Sequence, residues 1–341
     1  MYTKLKTYTA QEIDTLLKPR KPGVKIGEKM KFIFSPENLE AQLLQSKSKF
    51  VLLGVPEDAG VSGNYGVPGS RHAWPFALKA LLNMQSNDFC KAGKLLLLGY
   101  LNFETELDEL DRLKGKEAEY IEKSRALTSE IDKELTFYIQ LIVASGKKPI
   151  IIGGGHNNCY GIIKGCALAL NNPINVLNVD AHTDLRPIEG RHSGNGFTYA
   201  YKEGFLGNYF VFGLHENYLS NDMLKMIEAQ KPRIKYMTFE EVKLKSIENQ
   251  SNYLKKIKDF VDIDAFGLEI DCDAIANIPS SAMTPTGLTV EEVRKIIYTI
   301  QSHKNATYLH ICEAAPDINN EREQVQTGKL IAYLITDFIR K

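Results

Sequence analysis

The chain alternates short apolar runs with longer amphipathic stretches. Eight runs have strand character: Phe50–Val55, Leu95–Leu98, Pro149–Ile152, Ile174–Val179, Tyr209–Gly213, Ile234–Met237, Ala265–Ile270 and Ala306–Cys312. Most are nearly continuous in apolar residues. A strand with one face in water alternates polar and apolar side chains, and a strand covered on both faces does not. These runs therefore predict parallel strands lying between helical layers. Helical patterns separate several of them. Glu117 to Ala144 is long and amphipathic, with Gly146 placed to end it. Thr289-Val290-Glu291-Glu292 has the Thr/Glu spacing that caps a helix start, here for a helix through Ile300. Gln324 to Ile339 reads as a C-terminal helix. Strand then helix, repeated, predicts an α/β sheet. No repeat, low-complexity tract or linker divides the chain. Residues 46–341 are read as one domain and residues 1–45 as an N-terminal extension packed on its surface.

Composition narrows the function classes. With 341 residues, 43% of them hydrophobic, the chain can bury a large core. Lys and Arg number 42, as do Asp and Glu. That balance offers no basic field for nucleic acid and no charged tail. Met1 to Glu28 lacks the apolar stretch of a signal peptide, and no apolar run approaches the ~18 residues that span a membrane. The five cysteines are odd in number and form no CxxC pair, so buried free thiols in a reducing cytoplasm are expected. The picture is a soluble cytoplasmic protein acting on a small molecule.

Ligands of open α/β sheets bind beyond the carboxyl ends of the strands. Three of the apolar runs end there in metal-ligand residue types. After Ile174–Val179 comes Asp180-Ala181-His182-Thr183-Asp184. Where the chain is still extended, Asp180 and His182 share a face, and Asp184 can turn back toward them. Carboxylate with imidazole suits Mn2+, Fe2+ or Zn2+ better than Ca2+ or Mg2+. After the seventh run, Asp271-Cys272-Asp273 puts two carboxylates close enough to repel unless a cation or proton neutralises them. After Pro149–Ile152, Gly153-Gly154-Gly155-His156 allows a tight turn that presents His156 near the next helix. Each cluster alone is compatible with a polar loop or a structural histidine. Together they supply two histidines and four aspartates, a donor set for a pair of bridged cations.

Glycine-rich GGGH, then DAHTD, then DCD, in that order at strand ends, resembles the ureohydrolase family of arginase, agmatinase and formimidoylglutamase. The resemblance runs over about residues 50 to 340. It includes the loop from Gly54 through Glu57 and Gly60 to Ser70, and Glu313 on the last strand. It implies a three-layer αβα domain with an eight-stranded parallel sheet, and two Mn2+ per subunit. Carried over by position, one cation would be held by His156, Asp180, Asp184 and Asp271. The other would be held by Asp180, His182, Asp271 and Asp273. Asp184 would also orient an attacking water, and Glu313 would pair with the cationic nitrogen of the substrate. A homo-oligomer is compatible with the resemblance.

The departures from the family pattern bear on substrate. Leu185-Arg186-Pro187 and Ser193-Gly194-Asn195-Gly196-Phe197 are similar to formimidoylglutamases, whereas arginases and agmatinases place a histidine where Phe197 falls. Arg186, Ser193 and Asn195 are therefore expected to bind substrate, with Arg186 forking onto a carboxylate. Its alternative is a surface pair with Glu189. His192 is read as an exposed loop residue, or else as a proton relay in place of the missing histidine. Asn157 stands where the family usually has Glu or Ser. The expected reaction is hydrolysis of N-formimidoyl-L-glutamate to L-glutamate and formamide. The alternatives are a guanidino hydrolase releasing urea, a non-catalytic metal-binding protein, and a one-zinc deacetylase on a similar fold.

Overall fold

The computed structural model describes residues 3–18, 22–245, 250–300 and 303–340. Its strands are β1 (Leu5–Lys6), β2 (Lys31–Phe32), β3 (Phe50–Gly54), β4 (Leu95–Leu101), β5 (Lys148–Ile152), β6 (Ile174–Val179), β7 (Leu206–Leu214), β8 (Ile234–Thr238), β9 (Phe266–Asp271) and β10 (Ala306–Cys312). They form one sheet in the order β1-β4-β3-β5-β10-β9-β6-β7-β8, with β2 also paired to β4. The eight expected parallel strands are β3 to β10. Several extend past the predicted ends, as β7 does by three residues at its start.

The sheet is covered on both faces, which is why its strands read as continuous apolar runs. Along β3, Phe50 and Leu52 enter one core and Val51 and Leu53 enter the other. Helices Ala73–Leu82, Gln250–Val261, Val290–Ile300 and Glu321–Ile339 contribute apolar residues to the first core. Helices Glu117–Ala144 and Asn158–Leu170 contribute to the second. These last two pack closely because Gly161 and Gly165 lie one turn apart on their contact line. A Cβ on Gly165 would stand 2.7 Å from the carbonyl oxygen of Thr136 and 2.8 Å from Cβ of Ile139. The predicted cap forms at the other helix layer. Thr289 N–H donates to Oε2 of Glu292 at 2.9 Å, and Glu292 N–H donates to Oγ1 of Thr289 at 3.2 Å.

The N-terminal segment packs on the domain and also joins its sheet. β2 pairs in parallel with Leu96 and Leu97 of β4, and β1 pairs antiparallel with Tyr100 and Leu101. Two short strands thus occupy successive halves of what would be an open sheet edge, the part of a sheet most prone to pair with another chain. Ile13, Ile26 and Met30 enter one core, and Ile33, Leu39 and Leu43 the other.

Candidate metal centre

Chain order hides how the polar clusters meet. Strands β5, β10, β9 and β6 are neighbours in the sheet. The clusters that follow them therefore face one another at the carboxyl edge. After β5, Gly153 and Gly154 take φ of 92° and 76°, a conformation glycine adopts without strain. A Cβ on Gly155 would stand 2.5 Å from Oδ1 of Asn157. The turn sets His156 just before the helix that begins at Asn158. Asp184 (φ 48°) and Glu313 (φ 61°) hold left-handed backbone despite their side chains. Strain of this kind persists only where surrounding structure enforces it.

Nδ1 of His156 is the focus of the cluster. It lies 2.8 Å from Oδ2 of Asp184, 3.0 Å from Oδ2 of Asp271 and 3.2 Å from Oδ2 of Asp180. It is fully buried, yet makes no hydrogen bond to any of them. Buried polar atoms without a partner are rare. Three acceptors around one nitrogen also exceed what a single N–H can serve. Separations of about 3 Å are instead those of adjacent donors around one cation bound at about 2.1 Å. The residues fit a divalent cation there. The second set is looser: Nδ1 of His182 is 3.6 Å from Oδ1 of Asp180 and 3.9 Å from Oδ2 of Asp273. Asp180 Oδ1 accepts from His182 N–H and Asp271 Oδ1 from Asp273 N–H, each at 2.7 Å. The two-residue spacing of both motifs thus ties each aspartate to the backbone of the next donor. Asp273 lies in a tight turn, Cys272–Ala274, rather than in extended strand.

Four carboxylates outnumber the two imidazoles, and the electrostatics show it. Burial, with the charges of Asp273 and Asp180, pushes Asp271 well above the usual carboxylate range. Burial and Asp180 also raise Asp184, and burial raises Asp273. Asp180 goes the other way. Burial opposes its charge, but the imidazoles of His156 and His182 outweigh that and hold it below the ordinary range. His182 rises to about 10, because Asp180 more than reverses the effect of burial.

A cavity of about 250 Å³ opens beside this cluster. His182, Asp184, Asp271, Asp273 and Glu313 line it, as do Asn64, Arg186, Ser193 and Tyr218. One oxygen of Glu313 accepts the backbone N–H of His156 at 2.6 Å, and its Oε2 is buried with no partner. Burial and the charge of Asp273 raise Glu313 to about 8. Arg186 donates to Oδ1 of Asn64 at 2.6 Å and lies 3.4 Å from Glu189, so the expected surface pair and a place on the cavity wall coexist. Ser193 accepts from Asn64 at 3.1 Å.

Asn195 is not brought into the cavity, contrary to expectation. It is fully buried. Its Oδ1 accepts from Arg191 and from His192 N–H, while its Nδ2 donates to the carbonyls of Pro187 and Gly190. All its hydrogen-bonding capacity holds the loop. His192 is likewise buried rather than exposed. Its Nδ1 accepts from Gly194 N–H and its Nε2 faces Glu189 at 3.0 Å, away from the cavity lining. Phe197 packs edge-on against His156, with centroids 5.1 Å apart, and stacks on Tyr209.

The model of the arginase family matches residues 48–339 of this chain. The chain belongs to that family. A formimidoylglutamase from Geobacillus sp. (strain WCH70) is 27% identical over 285 residues, covering 82% of this chain and 81% of the relative. Among solved structures, a Trypanosoma cruzi formiminoglutamase with Mn2+ superimposes with a TM-score of 0.73 at 17% identity, over 94% of this chain and 98% of that one. A Bacillus subtilis formimidoylglutamase gives 0.73 at 17%, over 95% and 93%. These likenesses agree with the α/β architecture.

Within this arginase-family chain, several supporting residues escaped the sequence reading. Glu57 is fully buried, and one of its oxygens accepts from Gly155 N–H and from the side chains of Asn157 and Asn158. Its other oxygen accepts from Ala59 N–H. It ties the first-strand loop to the glycine turn, and gives Asn157 a role there. Burial and Asp58 raise it to about 7. Tyr218 stacks on His182 at 4.7 Å. Glu269, Tyr308 and His310 form a buried group behind His156. Their only signal was polarity inside apolar strands. No helix among the described residues is long and apolar enough to cross a membrane.

Proposed function

We propose that this cluster holds two Mn2+ ions and that the chain hydrolyses N-formimidoyl-L-glutamate to L-glutamate and formamide. His156, Asp180, Asp184 and Asp271 would hold one ion. Asp180, His182, Asp271 and Asp273 would hold the other. The observation that carries the reading is His156 Nδ1, within 3.2 Å of three carboxylate oxygens and without a hydrogen bond. Names of relatives at 27% identity support the substrate. So does Arg186, the single arginine or lysine among the described residues lining the cavity, since the substrate brings carboxylates as well as an amidine-like carbon.

Cations bound there would lower the pKa of a water to near neutrality and polarise the amidine. The protein's own groups do the rest. Arg186 and Asn64 take a substrate carboxylate and set the distance from it to the amidine. Glu313 directs its unpartnered Oε2 at the cationic amidine nitrogen. Water adds to the formimidoyl carbon, and Glu313 takes its proton and hands it to the glutamate nitrogen as that C–N bond breaks, which releases formamide and glutamate. Asp184 holds the water by hydrogen bonding.

Product analysis tests the reading. Manganese-loaded protein is offered formimidoylglutamate, arginine, agmatine and guanidinobutyrate in parallel. Glutamate and formamide from the first alone is the expected result. Urea from a guanidino substrate, with formimidoylglutamate untouched, overturns the substrate and leaves the metal site standing.

A further inference from the structure

Behind His156, on the side away from its three Nδ1 carboxylates, lies a fourth. Glu269 is fully buried in β9, and its Oε2 stands 3.5 Å from Nε2 of His156. The hydroxyl of Tyr308 donates to Oε1 of Glu269 at 2.6 Å, and Nδ1 of His310 meets Oε2. Parallel pairing in register builds this arrangement, since Tyr308 lies opposite Gly267 and His310 opposite Glu269. Gly267 is required there. A Cβ would stand 2.0 Å from the ring of Tyr308, which lies across the position to reach Glu269. Two side chains of β10 and a glycine of β9 thus serve one buried acceptor beside His156.

An imidazole presents its lone pair at whichever nitrogen is not donating, and the partner of the other nitrogen decides which that is. We propose that Glu269, braced by Tyr308 and His310, is the positioning residue that fixes the His156 ring with Nδ1 toward the aspartates. Nε2 makes no hydrogen bond at 3.5 Å, and Glu269 is the one carboxylate within 4 Å of it among the described residues, so it would accept Nε2–H once a cation takes the lone pair at Nδ1. The bracing sets the angle: two donors on strand β10 leave the carboxylate one direction in which to face the ring. The proposal rests on the two-cation reading above.

Glu269→Gln is the test. Gln has a single acceptor oxygen where the carboxylate has two, and it faces three donors. The Tyr308 hydroxyl can turn to accept from the new amide, which lets the fold survive. The amide oxygen must then serve His310 Nδ1 and Nε2 of His156 together without the carboxylate's charge, and the longer contact, to His156, weakens most. Manganese affinity and stoichiometry are measured by titration of metal-free protein, with urea unfolding of the same metal-free samples alongside. The expected result is a loss of about 10- to 100-fold in affinity for one Mn2+ per subunit, with the unfolding midpoint close to that of the parent. Tyr308→Phe, which leaves the carboxylate facing His156 but removes one brace, should weaken the same ion by less. If Glu269→Gln binds both ions as the parent does, the positioning role is wrong, whether or not the midpoint falls. If the parent itself binds no Mn2+, the two-cation reading fails and takes this proposal with it. If Glu269→Gln cannot be purified folded, Tyr308→Phe decides: unchanged affinity for both ions overturns the proposal.

Discussion

Arg191 closes the loop that carries Arg186 and Ser193 to the cavity. It is 5% exposed. Its Nε donates to Asp132 at 2.8 Å, and its other nitrogens donate to Oδ1 of Asn195 and to the carbonyl of Asn157. Its guanidinium lies 4.9 Å from the ring centroid of Tyr160 and 4.8 Å from that of Tyr199. Arg191→Met keeps much of the bulk and removes the charge, leaving Asp132 buried without this partner. Breaking a buried pair from one side costs about 3–5 kcal/mol. Spread over 341 residues at about 2.1 cal/mol/K each, that lowers Tm by roughly 4–7 °C. Metal-free protein should be used, so that cation binding does not mask the loss. Trp74, the single tryptophan and 2% exposed, provides the fluorescence signal. Burial raises the Asp132 carboxyl above its ordinary value even with Arg191 opposing it, and it must rise further in the variant. A carboxyl raised in the folded state penalises folding above its unfolded pKa. The penalty is relieved as pH falls through the folded value, so the Arg191→Met deficit should shrink in acid. Pairing it with Asp132→Leu should recover part of the loss, because no buried charge is then left alone. A deficit under about 1 kcal/mol, or a double variant as unstable as the sum of the singles, would refute the reasoning.

Asp271→Asn, changing the carboxylate placed between the two proposed sites, should abolish retention of both cations after dialysis, checked by metal analysis. Glu313→Gln should retain the cations and lower kcat by about 10²- to 10³-fold, since it removes the group that carries the proton to the leaving nitrogen. Arg186→Gln should lower kcat/KM by about 10- to 100-fold, mainly through KM. Its side chain is 48% exposed, so the unfolding midpoint should not move. Burial lowers His192 to about 4, from an unfolded value near 6.5. The unfolded chain therefore binds the extra proton first, and stability should fall as pH drops through the window between those values. His192→Asn, scored by urea midpoints at several pH values, should flatten that part of the profile.

What the sequence disclosed follows from what each feature depends on. A strand covered on both faces advertises itself, so β3 to β10 stand out as apolar runs. The two-residue strands β1 and β2 are too short for any period and exist only because β4 offers an edge. The aspartates and histidines were legible because each follows directly on a strand. Asn195 was misplaced for a local reason: a tight turn spans Ser193–Asn195, so Ser193 reaches the cavity and Asn195 turns back into its own loop. The supporting residues depend on partners far along the chain. Asp132 and Arg191 are 59 positions apart, Glu269 and His310 41, and Glu57 and Gly155 98. Each alone is an anomaly, a polar residue where apolar ones are expected, and the sequence does not say which anomalies meet. Sheet order does. The strands bearing the site come in chain order β5, β6, β9, β10 but stand side by side as β5, β10, β9, β6. That order puts His310 beside Glu269 and both behind His156. The same order that makes the cation cluster possible therefore supplies the carboxylate that holds its central histidine.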